Sequence, residues 1–368
     1  MNVCVIAGAR PNFMKAAPIL RAARAYPQAR CRLVHTGQHY DYQMSEAFFR
    51  DLEIPRPDHF LQAGSGSHAE QTARIMTAFE QVCQRDRPDL VLVVGDVNST
   101  LACSITAKKL GIAVAHVEAG LRSFDLTMPE EINRLVTDSI TDYFFCTEQS
   151  AVENLRREGK PQERIFFVGH VMIDNLFHQL KQLQNGGARS LKTAPLKAQL
   201  GTYNFLTLHR PANVDDPNRL RELAATLNEI AQDRPILFPV HPRTQKMLER
   251  YHIRFSHRVH LLPPLGFREA LYLWKDARVV LTDSGGLQEE TTALGVPCVT
   301  LRENTERPVT IQIGSNVLGG VTRQSILDAY TRQRDRERKA FSVPPLWDGK
   351  AAERIWKALE KVGHQLIR

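Results

Sequence analysis

The chain has 368 residues, more than one ordinary hydrophobic core accommodates, so we expect two domains. Its composition, 43% hydrophobic and 24% charged, is typical of a soluble globular protein. The net charge of +8 favours anionic partners. However, the nearest approach to a basic run, RQRDRERK, is diluted by acids, and only 7% of the residues are aromatic. These features disfavour nucleic acid as a partner and favour a phosphorylated small molecule.

The cysteines and the first residues bear on the compartment. Six cysteines are scattered through the chain, mostly inside apolar runs and without a C-x-x-C pair. That pattern is typical of a reduced cytoplasmic protein rather than a disulfide scaffold or a zinc site. The chain enters an apolar strand directly, without the features of a secretory signal, and has no apolar run long enough to span a membrane. The sequence therefore predicts a cytoplasmic protein with no membrane partner.

The first half of the chain alternates short apolar runs with helical stretches. The apolar runs are nearly unbroken, as expected of parallel strands that helices cover on both faces. The alternation predicts a doubly wound α/β domain over residues 1–170. The predicted strands cover 2–8, 31–37, 88–96, 112–120, 142–148 and 164–170, with helices near 14–23, 70–84, 100–110 and 149–158.

The pattern stops over residues 178–203, which lack an apolar strand and contain Gly-Gly and a proline, so we place a hinge and a domain boundary near there. It then restarts and predicts a second Rossmann-like domain over residues 171–350. The segment 351–368 is predicted to be a helix that packs back on the first domain. Two such domains facing across a cleft would form a preferred ligand site. The second set of strands covers 204–210, 234–243, 259–265, 278–286 and 297–301, with helices at 217–232, 268–276 and 287–294.

Ligands of open parallel sheets bind at the carboxyl ends of the strands, so the residues that follow each strand are the candidates for a site. After the first strand, Gly8 permits a tight turn, and Arg10 and Lys15 lie at a helix start where an anion can bind. This segment is neither G-x-G-x-x-G nor a Walker loop, which disfavours NAD and P-loop ATP binding. His39 follows the second strand.

Carboxylates collect after the next strands. Asp96 ends one strand and Glu118 ends the following one, and Glu130 and Glu131 follow a proline at a predicted helix start near Arg134. Each acid has an ordinary explanation, because Asp96 is suited to cap a helix and first-turn acids complement the helix dipole. Their concentration behind successive strands instead favours an acid/base cluster.

The second half supplies cations instead of acids. His209 and Arg210 end one strand and His241 ends the next. The histidines lie in separate loops and no H-x-x-x-H helix is present, so a metal site is not favoured.

A glycine-rich helix start in the second half is suited to a diphosphate. Ser284, Gly285 and Gly286 open a predicted helix, where backbone N–H groups and the helix dipole can bind a pyrophosphate. Glu290 on the same helix is placed to bind ribose hydroxyls, and Arg307 lies in a later loop. Acids thus concentrate in one half of the chain and phosphate-binding groups in the other.

Taken in order, nine motifs resemble those of the non-hydrolysing UDP-N-acetylglucosamine 2-epimerases. The resemblance runs from residue 3 to about residue 310. It implies a GT-B-like fold of two Rossmann-like domains, a homodimer, a UDP-sugar substrate and no requirement for NAD or a metal. The motifs are GARPNFMKAAP, TGQH, VGDVNST, HVEAGLRS, PEEINR, HRPANV, PVHPR, TDSGGLQEE and TERP.

The resemblance also implies roles for individual residues. The acid/base carboxylates of the family fall on Asp96, Glu118 and Glu130, and its histidine near the leaving group falls on His209. The groups that bind the substrate or the nucleotide fall on Arg10, Lys15, His241, Ser284, Gly285, Gly286, Glu290 and Arg307.

The two acids of the PEEINR motif therefore separate. Glu130 aligns with the catalytic acid, whereas Glu131 is expected to cap the helix or pair with an arginine such as Arg134, which leaves it a surface acid without a catalytic role.

The sequence departs from the family pattern at several positions. Asn12 and Ala212 stand where many members carry Glu, and Val309 follows the TERP motif where Glu is frequent. The segment YDYQMSEAFF differs from the version that binds a second, activating substrate molecule in some bacterial members. These departures leave open the substituents of the sugar and whether substrate activates the enzyme.

The implied reaction explains why several carboxylates are needed. The C–H bond at the acetamido-bearing carbon has no neighbouring carbonyl to acidify it, so a physical route is removal of that proton while UDP leaves the anomeric carbon. The flat glycal is then reprotonated on its opposite face as UDP adds back. Two faces require at least two acid/base groups with pKa values tuned by burial and by each other. Which carboxylate serves which face is left open.

Four other functions are compatible with the sequence. The same epimerisation could act on a modified UDP-sugar such as a UDP-diacetamido-uronic acid. A hydrolysing epimerase would release the free sugar, and a GT-B glycosyltransferase would need an acceptor and fewer acids. A regulator that binds a sugar nucleotide would have no use for Asp96 and Glu118.

Overall fold

The structure is a computed structural model that describes residues 1–38, 49, 52–188 and 191–366. The chain divides into two compact units. Unit 1 comprises Met1–Leu176 and Pro345–Arg368, and unit 2 comprises Phe177–Pro344. Each unit is built on its own parallel sheet.

The sheet of unit 1 has seven parallel strands in the order β3-β2-β1-β4-β5-β6-β7. Strands β1 to β3 follow one another towards one edge of the sheet, and strands β4 to β7 follow one another towards the opposite edge. The boundary between β1 and β4 is a topological switch point, where the loops after neighbouring strands diverge and leave room for a ligand. The strands are β1 (Asn2–Ala7), β2 (Arg30–His35), β3 (His59–Phe60), β4 (Leu90–Val94), β5 (Ala113–Val117), β6 (Tyr143–Cys146) and β7 (Ile165–Phe167).

The apolar runs of the sequence form the centre of this sheet. β1 and β4 pair in register from Val3 opposite Leu90 to Val5 opposite Leu92, and β4 is buried along its whole length. Because helices cover both faces, every side chain of β4 contributes to the core, which explains the continuous apolar sequence. The helices of unit 1 are α1 (Arg10–Ala23), α2 (His68–Arg85), α3 (Asn98–Lys109), α4 (Pro129–Ile140), α5 (Gln149–Arg157), α6 (Val171–Gln182, whose last residues belong to unit 2) and the C-terminal α15 (Ala351–Leu366).

The C-terminal helix α15 packs on α1 through specific hydrogen bonds. Trp356 donates its indole N–H to the carbonyl of Ile19 at 2.8 Å. Asp174 accepts the backbone N–H groups of Ala351 and Ala352, at 3.0 and 2.6 Å, and so satisfies two donors at the start of α15.

The sheet of unit 2 has six parallel strands in the order β10-β9-β8-β11-β12-β13. Its switch point lies between β8 and β11. Its core is formed by apolar side chains of β8, β9 and β11 and of the helix Pro217–Asp233, among them Leu206, Leu227, Phe238 and Leu281. The strands are β8 (Asn204–Thr207), β9 (Ile236–Pro239), β10 (Val259–Leu262), β11 (Val280–Thr282), β12 (Cys298–Thr300) and β13 (Asn316–Leu318).

The helices of unit 2 precede, connect and follow these strands, and most begin at a proline or after a residue whose side chain caps the helix. At the start of the helix Pro242–Arg250, for example, the His241 ring acts as the cap by accepting the backbone N–H of Arg243. The helices are α7 (Ala194–Leu200), α8 (Pro211–Val214), α9 (Pro217–Asp233), α10 (Pro242–Arg250), α11 (Phe267–Trp274), α12 (Gly285–Ala293), α13 (Pro308–Gln312) and α14 (Arg323–Arg334).

The predicted α/β class with two doubly wound parallel sheets is confirmed. The strands and helices that the sequence analysis did not predict are short or polar. β3 and β13 have two and three residues, too few for an apolar run to be visible in the sequence. α7 lies inside the stretch interpreted as a hinge, and α14 is rich in arginine and glutamine. Among the described residues, no helix is long and apolar enough to cross a membrane.

Candidate active site

In unit 1, two acids lie at neighbouring strand ends on the switch-point side of the sheet. β4 and β5 pair in parallel, with Val94 opposite Val117. Asp96 follows Val94 by two residues and Glu118 follows Val117 directly, so the register brings both acids to the same edge of the sheet. The structure therefore places these two predicted residues together.

Glu118 is buried, with 5% of its surface exposed, and the ammonium of Lys15 on α1 donates a hydrogen bond to its Oε2. Its φ of +71° is left-handed, a conformation that costs a non-glycine residue on the order of 1–3 kcal/mol. Gly95 also has a φ of +71°, and a Cβ there would lie 3.1 Å from the Nζ of Lys15. The backbone here is shaped around an ion pair, and strain of this kind is typical of functional sites.

Asp96 is held by groups from α4. Arg134 donates from Nη2 to its Oδ2 at 2.7 Å, and Asn133 donates to its backbone carbonyl at 2.9 Å. The alternative reading of Asp96 as a helix cap is wrong, because α3 begins after Val97 and has no side-chain cap. The side chain of Asp96 is thereby held against α4.

The two acids at the start of α4 have different environments. Glu131 is 1% exposed, receives 2.6 Å and 2.9 Å hydrogen bonds from Arg134 and the Ser123 N–H, and also accepts the N–H of Phe124. Burial alone would raise the pKa of Glu131, but these hydrogen bonds lower it below its ordinary value. The expected arginine pair is present, whereas the expectation of a surface acid is wrong. Glu130 is exposed.

Other candidates of unit 1 are less fully described. His39 lies outside the described residues, and so does the side chain of Arg10 at the first position of α1. Asn12, where many family members carry Glu, accepts the N–H of Ala9 at 3.1 Å and donates to the carbonyl of Val94 at 2.7 Å. The amide thus links the start of α1 to the end of β4, and a carboxylate could not donate the second bond.

In unit 2, a buried carboxylate that the sequence analysis did not single out organises His209. Asp283 is fully buried and accepts the backbone N–H groups of His209 and Arg210 at 3.0 and 2.9 Å, while its Oδ1 lies 3.0 Å from the His209 Nδ1. Burial would raise the pKa of Asp283, but the charge and the hydrogen bonds of His209 and the backbone donors lower it. Its place at the end of a strand, inside the TDSGG motif, is the signal that could have identified it.

The other cationic residues of unit 2 have separate partners. The His241 ring lies 5.6 Å from the His209 ring and accepts the N–H of Arg243, which fixes the ring at the start of α10. Arg210 lies beside His209 in the sequence, but its guanidinium is 3.6 Å from Glu306. The structure therefore brings the rings of His209 and His241 together, whereas the guanidinium of Arg210 pairs with Glu306.

The start of α12 is open at both of its glycines. Ser284 precedes the helix without forming a side-chain cap, and its N–H donates to Thr282 at 2.9 Å. A Cβ added to Gly285 or Gly286 would meet no atom of the described residues within 4 Å. Space beside a helix N-terminus is the geometry that a phosphate group requires.

Two acids on α12 have divided roles. Glu289 is paired with Arg307, whose Nε lies 2.5 Å from its Oε1. Glu290 is 6% exposed, and burial together with the neighbouring charge of Glu289 raises its pKa to about 8. Glu290 is thus protonated at neutral pH and can both donate and accept a hydrogen bond, as contact with hydroxyl groups requires.

Within the described part of the chain, no group of three or more His, Cys, Asp and Glu side chains is arranged to hold a metal ion.

Acids at strand ends in one Rossmann-like unit, and an anion-binding helix start with an oriented histidine in the other, define a class of α/β enzymes that act on nucleotide-linked substrates. The family model described as UDP-N-acetylglucosamine 2-epimerase matches residues 21–360. The chain belongs to this family, and the resemblance found in its motifs is confirmed.

Individual relatives support the same conclusion. The chain is 40% identical over 366 residues to the UDP-N-acetylglucosamine 2-epimerase of Methanocaldococcus jannaschii, which covers 98% of this chain and 99% of the relative. It is 41% identical over 332 residues to the UDP-2,3-diacetamido-2,3-dideoxy-D-glucuronate 2-epimerase of Pseudomonas aeruginosa, over 89% of this chain and 91% of that one. A crystal structure of the Methanocaldococcus jannaschii enzyme in complex with UDP-GlcNAc and UDP matches with a TM-score of 0.84, over 98% of this chain and 100% of the other. The protein is an epimerase.

Proposed function

We propose that this epimerase interconverts UDP-N-acetylglucosamine and UDP-N-acetylmannosamine by elimination of UDP and its re-addition to a glycal. The observation that carries the proposal is the presence of Asp96 and Glu118 at adjacent strand ends in a chain of this family. Both acids follow β-strands of the sheet centre, so their backbones have little freedom to move.

Proton transfer at the acetamido-bearing carbon is assigned to these two acids. Each is paired with a different cation, Glu118 with Lys15 and Asp96 with Arg134. Because the two carboxylates have separate supports, each can act on one face of the sugar carbon without sharing a proton with the other. Glu130, which is exposed at the start of α4, is assigned an assisting role as acid.

The departure of UDP is assigned to groups of unit 2. Asp283 occupies the Nδ1 side of His209, so we assign the Nε2 of that ring to the leaving diphosphate. The N–H groups at Gly285 and Gly286 are suited to its phosphate oxygens, and each well-aimed donor is worth about 3–4 kcal/mol in the transition state. Glu290 is assigned to the ribose hydroxyls.

Further substrate-binding roles follow from the family resemblance or, for His39, Arg134 and Arg210, from their places in the sequence, rather than from a described contact. We assign them to eight residues of the sequence motifs: Arg10, Lys15, His39, Arg134, Arg210, His241, Ser284 and Arg307.

A modified sugar is the second candidate substrate. The relative from Pseudomonas aeruginosa is a UDP-2,3-diacetamido-2,3-dideoxy-D-glucuronate 2-epimerase, and its identity to this chain is 41% over 89% of the chain, against 40% over 98% for the UDP-N-acetylglucosamine 2-epimerase of Methanocaldococcus jannaschii. The same elimination would apply, because the reacting carbon and the leaving group are unchanged.

The assembly and the compartment are part of the proposal. A homodimer is implied by the resemblance to the family. The domain assignment of residues 1–170 to the acids and 171–350 to the nucleotide remains our interpretation. A cytoplasmic location is supported by the cysteines, all six of which are free thiols.

Incubation with either UDP-sugar in deuterated water, followed by NMR, tests the function. We expect the epimer to form with deuterium at the epimerised carbon, since the proton is exchanged through an acid on the protein. A product without deuterium would exclude the elimination scheme, and free sugar in the mixture would indicate a hydrolysing enzyme. Asp96→Asn and Glu118→Gln should each lower turnover at least about a hundredfold.

A further inference from the structure

The ring of His116 on β5 lies between two oxygen acceptors in the core of unit 1. It is fully buried, its Nδ1 is 2.7 Å from the Oδ1 of Asp138, and its Nε2 is 2.8 Å from the carbonyl oxygen of Gly95. A carbonyl oxygen can only accept, so Nε2 must carry a proton. The charge of the ring then depends on whether Asp138 is ionised.

Several contacts keep Asp138 in its carboxylate form. Its second oxygen, Oδ2, accepts the backbone N–H of Gly120 at 2.9 Å and lies 2.7 Å from the guanidinium of Arg122. The Gly120 N–H and the guanidinium of Arg122 carry their protons whatever the state of His116, so both contacts favour the ionised form of Asp138. An ionised carboxylate only accepts, so Nδ1 of His116 must donate as well, and the ring carries both protons.

The charges around this ring balance when His116 is positive. Arg122, with a side chain 1% exposed, pairs with Asp138 on one side and with Glu158 at 2.8 Å on the other. His116, Asp138, Arg122 and Glu158 then form a chain of alternating sign with no net charge. A neutral histidine would instead turn a bare Nδ1 towards the carboxylate of Asp138, so that two acceptors would face each other in the core, which is costly. Cys146 on β6 also lies beside this chain, and burial raises the pKa of its thiol, so it stays neutral.

The same contacts fix the backbone around both acids of the site. Gly95, whose carbonyl His116 holds, directly precedes Asp96. His116 itself lies two residues before Glu118. Its partner Asp138 accepts the N–H of Gly120, which lies two residues after Glu118. One histidine and one aspartate therefore connect the ends of β4 and β5 to α4.

We propose that His116, as a buried imidazolium paired with Asp138, is a positioning residue that sets the distance between the carboxylates of Asp96 and Glu118. The inference rests on the proposed function for the role of those two acids. Its physical basis is that a displacement of about 1 Å in a reacting group can cost roughly a hundredfold in rate.

The first test measures the protonation of the ring in the wild-type protein without substrate. NMR of ¹⁵N-labelled histidine should show two protonated ring nitrogens for His116, because both of its ring nitrogens face an acceptor oxygen. His35 is an internal control, since its Nδ1 accepts the N–H of Gly37 and burial lowers its pKa to about 4, so it should show one bare nitrogen. A bare nitrogen on His116 would overturn the proposal, even if the protein epimerises UDP-sugars as proposed.

The second test compares variants with a matched control. Asp138→Asn and His116→Gln should lower kcat about 10- to 100-fold with KM changed less than about threefold, because the acids are displaced while nucleotide binding is kept. Asp142→Asn is the control, since Asp142 holds the Val114 N–H and Lys108 at the opposite end of β5. It should leave kcat within about twofold of the wild type.

Two outcomes of the variant test would contradict the positioning role. One is an unchanged kcat in Asp138→Asn and His116→Gln. The other is an equal loss of kcat in Asp142→Asn, which would trace the effect to general stability. If neither variant of the ion chain folds, the ring protonation in the wild type still decides the proposal.

Discussion

The Oδ1 of Asp283 lies 3.0 Å from the Nδ1 of His209, and the other oxygen of the same carboxylate accepts the backbone N–H of His209 at 3.0 Å. A single buried acid thus holds both the ring and the main chain of this histidine. Because both contacts are made by a residue of unit 2 itself, the protein sets the orientation of the ring. Preorganisation of this kind is what electrostatic stabilisation of a leaving group requires.

Replacing the carboxylate of Asp283 should impair the catalytic function of His209 although the imidazole ring is still present. In Asp283→Asn, we expect kcat to fall by about a hundredfold or more, since an amide cannot orient and stabilise a protonated His209. The free energy of unfolding should fall by about 1–3 kcal/mol, because backbone donors lose a charged acceptor. Steady-state kinetics and urea denaturation measure the two effects. Asp215→Asn, at an exposed pair with Arg243, should change neither by much; a normal kcat in Asp283→Asn would show that the carboxylate is not needed.

The pair of Lys15 and Glu118 should show opposite effects on stability and on activity. Lys15→Met leaves the carboxylate of Glu118, which is 5% exposed, without its partner, and should cost about 3–5 kcal/mol of unfolding free energy. Adding Glu118→Gln to Lys15→Met removes the unpaired charge and should recover most of that stability, while turnover stays at background. A double-mutant cycle of denaturation and kinetics checks this. Strict additivity of the two changes in stability would show that the pair is not coupled.

Glu130 and Glu131 form a matched pair of adjacent acids. Glu131→Gln should cost about 1–3 kcal/mol, since the buried carboxylate holds Arg134 and two backbone N–H groups. Glu130→Gln, at an exposed position, should change stability by less than about 0.5 kcal/mol and yet lower turnover. The comparison uses thermal unfolding alongside kcat. A fully active Glu130→Gln variant would contradict the catalytic role of Glu130, even if Glu131→Gln lost stability as expected.

Glu290 should make stability depend on pH. Its pKa is raised from 4.5 to about 8 in the folded protein, so the protonated form is favoured by folding. The stability from this group is complete below pH 4.5 and is lost as the pH rises towards 8, at up to about 1.4 kcal/mol per pH unit.

Glu290→Gln mimics the protonated acid and tests this pH dependence. The variant should be more stable than the wild type near the alkaline end of the range and should show a flatter profile of unfolding free energy against pH. Calorimetric titration should show weaker UDP binding, since the acid is assigned to the ribose. Glu249→Gln, an exposed acid on α10, is the control and should follow the wild type. Parallel profiles of Glu290→Gln and the wild type would place the titrating group elsewhere.

The sequence by itself determined the fold class, the alternation of strands and helices and the family. Unbroken apolar runs such as that of β4 identify strands buried on both faces, because burial constrains every residue of such a strand. Residues behind successive strands, such as Asp96 and Glu118, could be placed at one edge because parallel strands end on the same side of a sheet.

Only the tertiary structure decided which groups hold these residues in place. The contact between His209 and Asp283 joins residues 74 positions apart, and that between His116 and Asp138 joins residues 22 apart. Local pattern does not encode such pairs, since they depend on how helices and loops pack on the sheet. For the same reason Glu131 was expected at the surface, although the loop that carries Ser123 and Phe124 folds over it and buries it.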